Sequence, residues 1–261
     1  RLRTVTGVQT CALPISDARM NQIIAAVRST HARPNPRGGS PTQVAHGRIP
    51  PDPRPRHVNS TMPLELATRV IDASHPGPRV LITGGVHGDE FEPMVAIRRL
   101  AKAVSPDSLA GRLTLIPVVN EAAFARGTRA AEDNLDLART CPGRMDGSVT
   151  ERTAAALSTW IRRADYYIDL HTGGTRLAVW PLAGYMLHPD ENVLQKQRAM
   201  ARDFNLPVVW GTDYRLEGRS LSVARDARVP AIYCEFWGGG RCDPEGIEAY
   251  VRSEEHTSEL Q

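Results

Sequence analysis

The chain has 261 residues, and its 32 Lys and Arg against 29 Asp and Glu give a net charge of +3 at pH 7. So small and evenly spread a surplus argues against a nucleic-acid partner, which demands a basic stripe or patch. No Cys-x-x-Cys pair occurs, which argues against a cysteine-zinc site, and no apolar run approaches the ~18 residues of a membrane span.

The two ends read differently from the middle. Gly7 to Ile15 (GVQTCALPI) and Arg252 to Gln261 (RSEEHTSELQ) can be back-translated as opposite strands of one DNA sequence that resembles a sequencing adapter. Residues 1–16 and 252–261 are therefore expected to be artefact and to lie outside the fold. Without them the charge balance stays at +3 and three cysteines remain, Cys141, Cys234 and Cys242, an odd count that argues against a disulfide framework. Only Lys102 and Lys196 are lysines, an arginine bias that a GC-rich coding sequence explains better than phosphate recognition does. No secretory signal is visible, so a cytoplasmic location is expected, without membrane attachment.

Residues 17–60 hold seven prolines and seven arginines, too little apolar content to offset ordering entropy, and are expected to be disordered or upstream sequence. From residue 61 strand and helix signals alternate up to residue 251. "LELATRVID" alternates apolar and polar residues, and "RVLITGG" (79–85) is a short apolar run ending in glycine, as a buried strand does. Pro93 sits at a helix N1 position with Ile97, Leu100, Ala101 and Val104 on one face. "RLTLIPVVN" reads as the next strand, and Ser148 with Glu151 forms a capping box opening a helix through Ala154, Leu157 and Ile161. "ADYYIDLHT" is a further strand, a helix follows at 191–204, and "VPAIYCEFWGGG" is the last strand. This order predicts an α/β domain over 61–251, with a central mostly parallel or mixed β-sheet flanked by helices on both faces.

In such sheets, ligands bind beyond the carboxyl ends of the strands. Three strand ends here carry the residues of a hydrolytic metal site: His87 and Glu90 in "GGVHGDE", His171 in "DLHTGG", and Glu235 in "YCEFWGGG". Each is commonplace alone. Together, two histidines and one carboxylate form a three-ligand catalytic zinc set with an open fourth position. Glu235, outside that set, suits a general base that takes a proton from water and passes it to a leaving amine. Asp169, two residues before His171 on the same strand face, either orients a histidine ligand or is a plain strand-end carboxylate.

"GGVHGDE", "NLDLARTCPG", "DLHTGG" and the late-strand Glu235 together resemble the succinylglutamate desuccinylase/aspartoacylase family of zinc carboxypeptidase-like hydrolases, over about residues 62–251. The resemblance implies His87, Glu90 and His171 as ligands of one zinc per chain, with Glu235 as general base. It implies that Arg139, within Asp136–Gly143, grips a substrate carboxylate. Ala138 replaces the family's Asn beside it, and Asn134 is the candidate to compensate. Arg129 matches an arginine that polarises the scissile carbonyl, with Arg126 as its competitor. The expected activity is zinc-dependent hydrolysis of the amide bond of an N-acyl amino acid or similar small carboxylate. A zinc carboxypeptidase acting on peptides or cell-wall fragments is one alternative, and an inactive fragment or binding protein keeping the fold is another. A further β-rich domain that family members carry after the last catalytic strand is expected to be missing. The resemblance leaves open whether the chain forms a homo-oligomer.

Overall fold

The computed structural model describes residues 64–251, so the expectations for 1–16, 17–60 and 252–261 lie outside the described residues. Seven strands, β1 (Arg69–Asp72), β2 (His75–Thr83), β3 (Ala110–Ile116), β4 (Tyr166–His171), β5 (Ala178–Met186), β6 (Val208–Thr212) and β7 (Ala231–Gly238), form one sheet in the order β1-β3-β2-β4-β7-β5-β6. The four central strands β3, β2, β4 and β7 are parallel, while β1 and β5 run antiparallel to β3 and β7. The sheet is therefore mixed around a parallel centre.

Side chains alternate across a strand, and that alternation assigns the two faces. On one face Val80, Ile82, Ile168, Leu170, Ile232, Cys234 and Phe236 form a core with helices α1 (Phe91–Ala103), α4 (Glu191–Asp203) and α6 (Pro244–Val251). On the other, Leu81, Tyr167 and Ala231 pack against α3 (Val149–Arg163) and α5 (Ser220–Asp226). A short helix, α2 (Glu121–Arg126), follows β3. The second face continues past its apolar residues into Thr83, Asp169, His171, Tyr233 and Glu235. In-register pairing sets Thr83 beside Asp169, Asp169 beside Tyr233, and His171 beside Glu235. Three parallel strands thus bring their polar ends to one place.

Local signals account for most boundaries. The predicted capping box is present: Ser148 Oγ accepts from the Glu151 amide at 3.4 Å, and Glu151 Oε2 accepts from the Ser148 amide at 2.8 Å. Helix α1 starts two residues earlier than Pro93 suggests, and Glu90 is its N-cap. Pro93 still falls in the first turn, where a missing N–H costs nothing. Glu90 makes no capping bond because its carboxylate is committed elsewhere.

Strands β5 and β6 lack a clear signature in the sequence. Pro181 interrupts β5 within a register shift between Val179 and Leu182, where a residue without a ladder donor is tolerated. Gly184 is required because the Tyr233 ring lies 2.1 Å from where its Cβ would stand.

The loop after β2 is held equally closely. Backbone bonds from Val119 and Asn120 to the carbonyls of Gly84 and Gly85 tie it to the loop after β3. A Cβ on Gly88 would meet the backbone of Ala123 at 2.1 Å. Gly88→Ala therefore forces α2 away from the loop that carries His87. Its expected cost is about 3 kcal/mol, as for overpacking against rigid backbone, whereas Ser148→Ala at the capping box costs about 1 kcal/mol. Urea unfolding of both variants checks the order, and a Gly88→Ala cost below that of Ser148→Ala contradicts it.

Candidate metal and catalytic site

The site is assembled around the carboxylate of Glu90, which is 1% exposed. His87 Nδ1 lies 2.6 Å from Glu90 Oε1, and His171 Nδ1 lies 2.9 Å from Glu90 Oε2. Both imidazoles thus present the same ring nitrogen to one carboxylate, with ring centroids 5.4 Å apart. One ligand atom from each of the three residues lies within 4.8 Å of the others, the one such cluster among the described residues. Burial opposes charge on Glu90, but His171 and His87 outweigh it and hold its carboxyl down to about 2.

The far nitrogen of each ring is also engaged. His87 Nε2 is 3.0 Å from Asp136 Oδ1, and His171 Nε2 is 3.2 Å from Asp169 Oδ2. Asp169 is itself buried and fixed, accepting from Thr83 Oγ1 at 2.7 Å and Ser220 Oγ at 2.5 Å. Of the two sequence readings of Asp169, the geometry thus corresponds to an orienting partner for His171. Two imidazoles and a carboxylate, with each ring held by a carboxylate behind it, form a donor set that fits a divalent ion of the zinc type.

Asp136 has a second task. Its Oδ2 accepts from Arg129 at 3.1 Å, while its Oδ1 also accepts from the Ala138 amide at 2.9 Å. One carboxylate thereby fixes a candidate ligand, a candidate catalytic arginine and the 3₁₀ turn Leu137–Arg139 that carries Arg139. The Arg129 guanidinium also comes within 3.7 Å of Glu90.

A cavity of about 230 Å³ opens in front of this cluster. Its walls include His87, Arg129, Arg139, His171, Arg219 and Glu235. Glu235 stands next to His171 in register, and its Oε2 is enclosed with no hydrogen-bond partner. Burial, aided by the charge of Glu90, pushes its carboxyl up to about 7. A carboxyl in that range changes protonation readily near neutral pH, as proton transfer requires.

Most residues expected from the sequence meet here, and two named candidates do not. Asn134 is exposed, in left-handed backbone at φ 57°, and its amide points to the carbonyl of Glu132 at 3.4 Å. It lies outside the cavity wall, so the compensating role for Ala138 has no geometric support. Arg126, at the end of α2, is likewise absent from the wall, which Arg129 lines. The residues that sequence reasoning missed are Asp136, Ser220, Arg219 and Tyr233. Asp136 was within reach, since it heads the segment that supplies Arg139. Arg219 and Ser220 carry no local pattern.

Comparisons with known proteins give the family of the fold that carries this cluster. The chain is 33% identical over 178 residues to the N-alpha-acetyl-L-2,4-diaminobutyric acid deacetylase of Halomonas elongata, which covers 66% of this chain and 51% of that protein. The chain thus spans about half the length of this curated relative. A succinylglutamate desuccinylase/aspartoacylase structure from Rhodobacter sphaeroides superposes with a TM-score of 0.68 at 29% identity, covering 73% of this chain and 57% of the other. The product-bound ectoine utilization protein EutE (DoeB) of Ruegeria pomeroyi gives 0.67 at 31% identity, covering 71% and 57%. Residues 76–259 match the sequence model of the succinylglutamate desuccinylase/aspartoacylase catalytic domain, and the chain belongs to that family.

Proposed function

We propose that this chain carries the catalytic site of a zinc-dependent deacylase that hydrolyses the amide bond of a small N-acyl amino acid. The observation that carries the proposal is the pairing of Glu235, with its unpartnered Oε2, beside the His87–Glu90–His171 cluster in one cavity. His87, Glu90 and His171 would hold the ion, which when bound lowers the pKa of water and polarises a carbonyl.

The chain's own groups do the rest. Glu235 takes a proton from the attacking water and returns it to the departing nitrogen, so that acid and amine leave with protons balanced. Arg129, held by Asp136, offers its guanidinium to the oxygen that gains charge as the carbonyl becomes tetrahedral. Arg139 and Arg219 face the same cavity, and among the described residues neither has an ion pair to a carboxylate. Burial, and then the charge of Arg139, lower the pKa of Arg219. Two like charges held together in this way favour an anion between them, which supports a substrate carboxylate at that end. Ala138 contributes no donor to the wall, so the guanidiniums carry that recognition without a neighbouring amide. The small cavity and the deacetylase relative both support an N-acyl amino acid over a peptide.

The test is amine release from a panel of N-acetyl amino acids by the zinc-loaded chain. Glu235→Gln is expected to reduce kcat by about 10²–10⁴-fold, the usual contribution of a positioned acid–base group, while zinc content stays at the parent level. Undiminished turnover in that variant removes Glu235 as the base. Separately, Arg219→Ala is expected to lower kcat/KM by about 10–100-fold for free acids, as for a lost charged hydrogen bond, and far less for the same substrates with the carboxylate amidated. Equal losses on both substrate forms contradict carboxylate recognition by Arg219.

A further inference from the structure

The face of the sheet opposite the cavity holds a polar contact that no step above uses. Helix α6 packs on that face, and its Tyr250 is 3% exposed. The Tyr250 ring sits against Phe204 and Phe236, with centroids 6.3 Å and 6.2 Å away. Its hydroxyl donates to the main-chain carbonyl of His171 and lies 3.3 Å from that of Cys234.

Those two carbonyls are not arbitrary. His171 is the last residue of β4, and its pairing with Glu235 is the final rung between β4 and β7. The Cys234 carbonyl belongs to the peptide that leads into Glu235. Beyond this rung β4 ends in the loop of Gly173 and Gly174 while β7 continues beside β5 to Gly238, and the next backbone bond to β7 runs from Gly173 to Trp237. The phenol therefore bridges the strands at the level where the candidate ligand and the candidate base stand side by side.

Helix α6 is in turn fixed to the element that carries the third group. The Asp243 amide, just before α6, donates to Glu92 Oε1 at 3.1 Å. Arg99 pairs with Glu248 at 2.6 Å. Glu92 and Arg99 both lie on α1, whose N-cap is Glu90. The three groups are thus linked from behind the sheet through a single helix.

We propose that Tyr250 is a positioning residue for the metal site, its hydroxyl fixing the main chain of His171 relative to that of Glu235. The proposal rests on the metal-site reading above, and its test separates the two. Zinc dissociation constants, from competition with a chromophoric chelator, are measured for the full chain, Tyr250→Phe and Phe204→Leu, together with the unfolding midpoint of each metal-free form. Tyr250→Phe keeps the ring and removes only the donor. Phe204→Leu loosens the same packing and touches neither carbonyl. Tyr250→Phe is expected to weaken zinc binding about tenfold, the lower end for residues that orient ligands. Phe204→Leu is expected to lower the unfolding midpoint and leave zinc affinity within about twofold. Zinc affinity of Tyr250→Phe within about twofold of the parent overturns the positioning role and leaves the metal site standing. Equal weakening in both variants also overturns it, because general loosening then explains the effect. A parent that binds no zinc overturns this proposal and the metal-site reading together.

Discussion

The interaction on which the rest of the structure depends is the burial of the Glu90 carboxylate between two imidazoles. A buried charge is tolerated only when it is paired and its hydrogen-bonding capacity is met. Each Glu90 oxygen meets a histidine, and each histidine has a second carboxylate on its other nitrogen. Acidic and basic groups therefore alternate along a line from Asp136 through His87, Glu90 and His171 to Asp169. Loss of any member takes one charged partner from each of its neighbours. The same commitment deprives α1 of a capping side chain, a local rule broken where the site needs the residue for something else.

The sheet makes this arrangement reachable. Strands β2, β4 and β7 are parallel neighbours or next neighbours, so their carboxyl ends lie along one edge. The alternation of side chains then places Asp169, His171 and Glu235 on one face, while Ile168, Leu170, Cys234 and Phe236 fill the core behind. The loops add the arginines: Arg129 and Arg139 arrive from the segment after α2, both bonded to Asp136, and Arg219 arrives just before α5. The candidate arginines thus come from loops, and Glu235 and His171 from the strands of the frame that supports them.

Much of this was legible in the sequence because the informative signals are local. Short apolar runs ending in glycine mark β2 and β7, and the Ser148–Glu151 spacing marks the start of α3. His87 and Glu90 are three residues apart on one loop, and Asp169 and His171 share a strand face by the two-residue period alone. The rest depends on contacts between distant segments. Asp136 reaches His87 across 49 positions, and Ser220 reaches Asp169 across 51. No periodicity encodes such a meeting. Strands β5 and β6 escaped because Pro181 and Gly184 break the first, and the second is a short edge strand with an exposed centre at Val209 and Trp210. Asn134 stands four residues before Ala138 in sequence, yet its exposed amide bonds the Glu132 carbonyl and it lies outside the cavity wall.

The central claim is that Glu90, His87 and His171 hold a metal ion. The most direct measurement is the zinc content of the purified chain beside its His171→Ala variant, with both confirmed folded by circular dichroism. About one zinc per parent chain is expected, as for a three-ligand catalytic site, and little in the variant. A folded parent without zinc, or a variant that retains the parent's zinc, contradicts it.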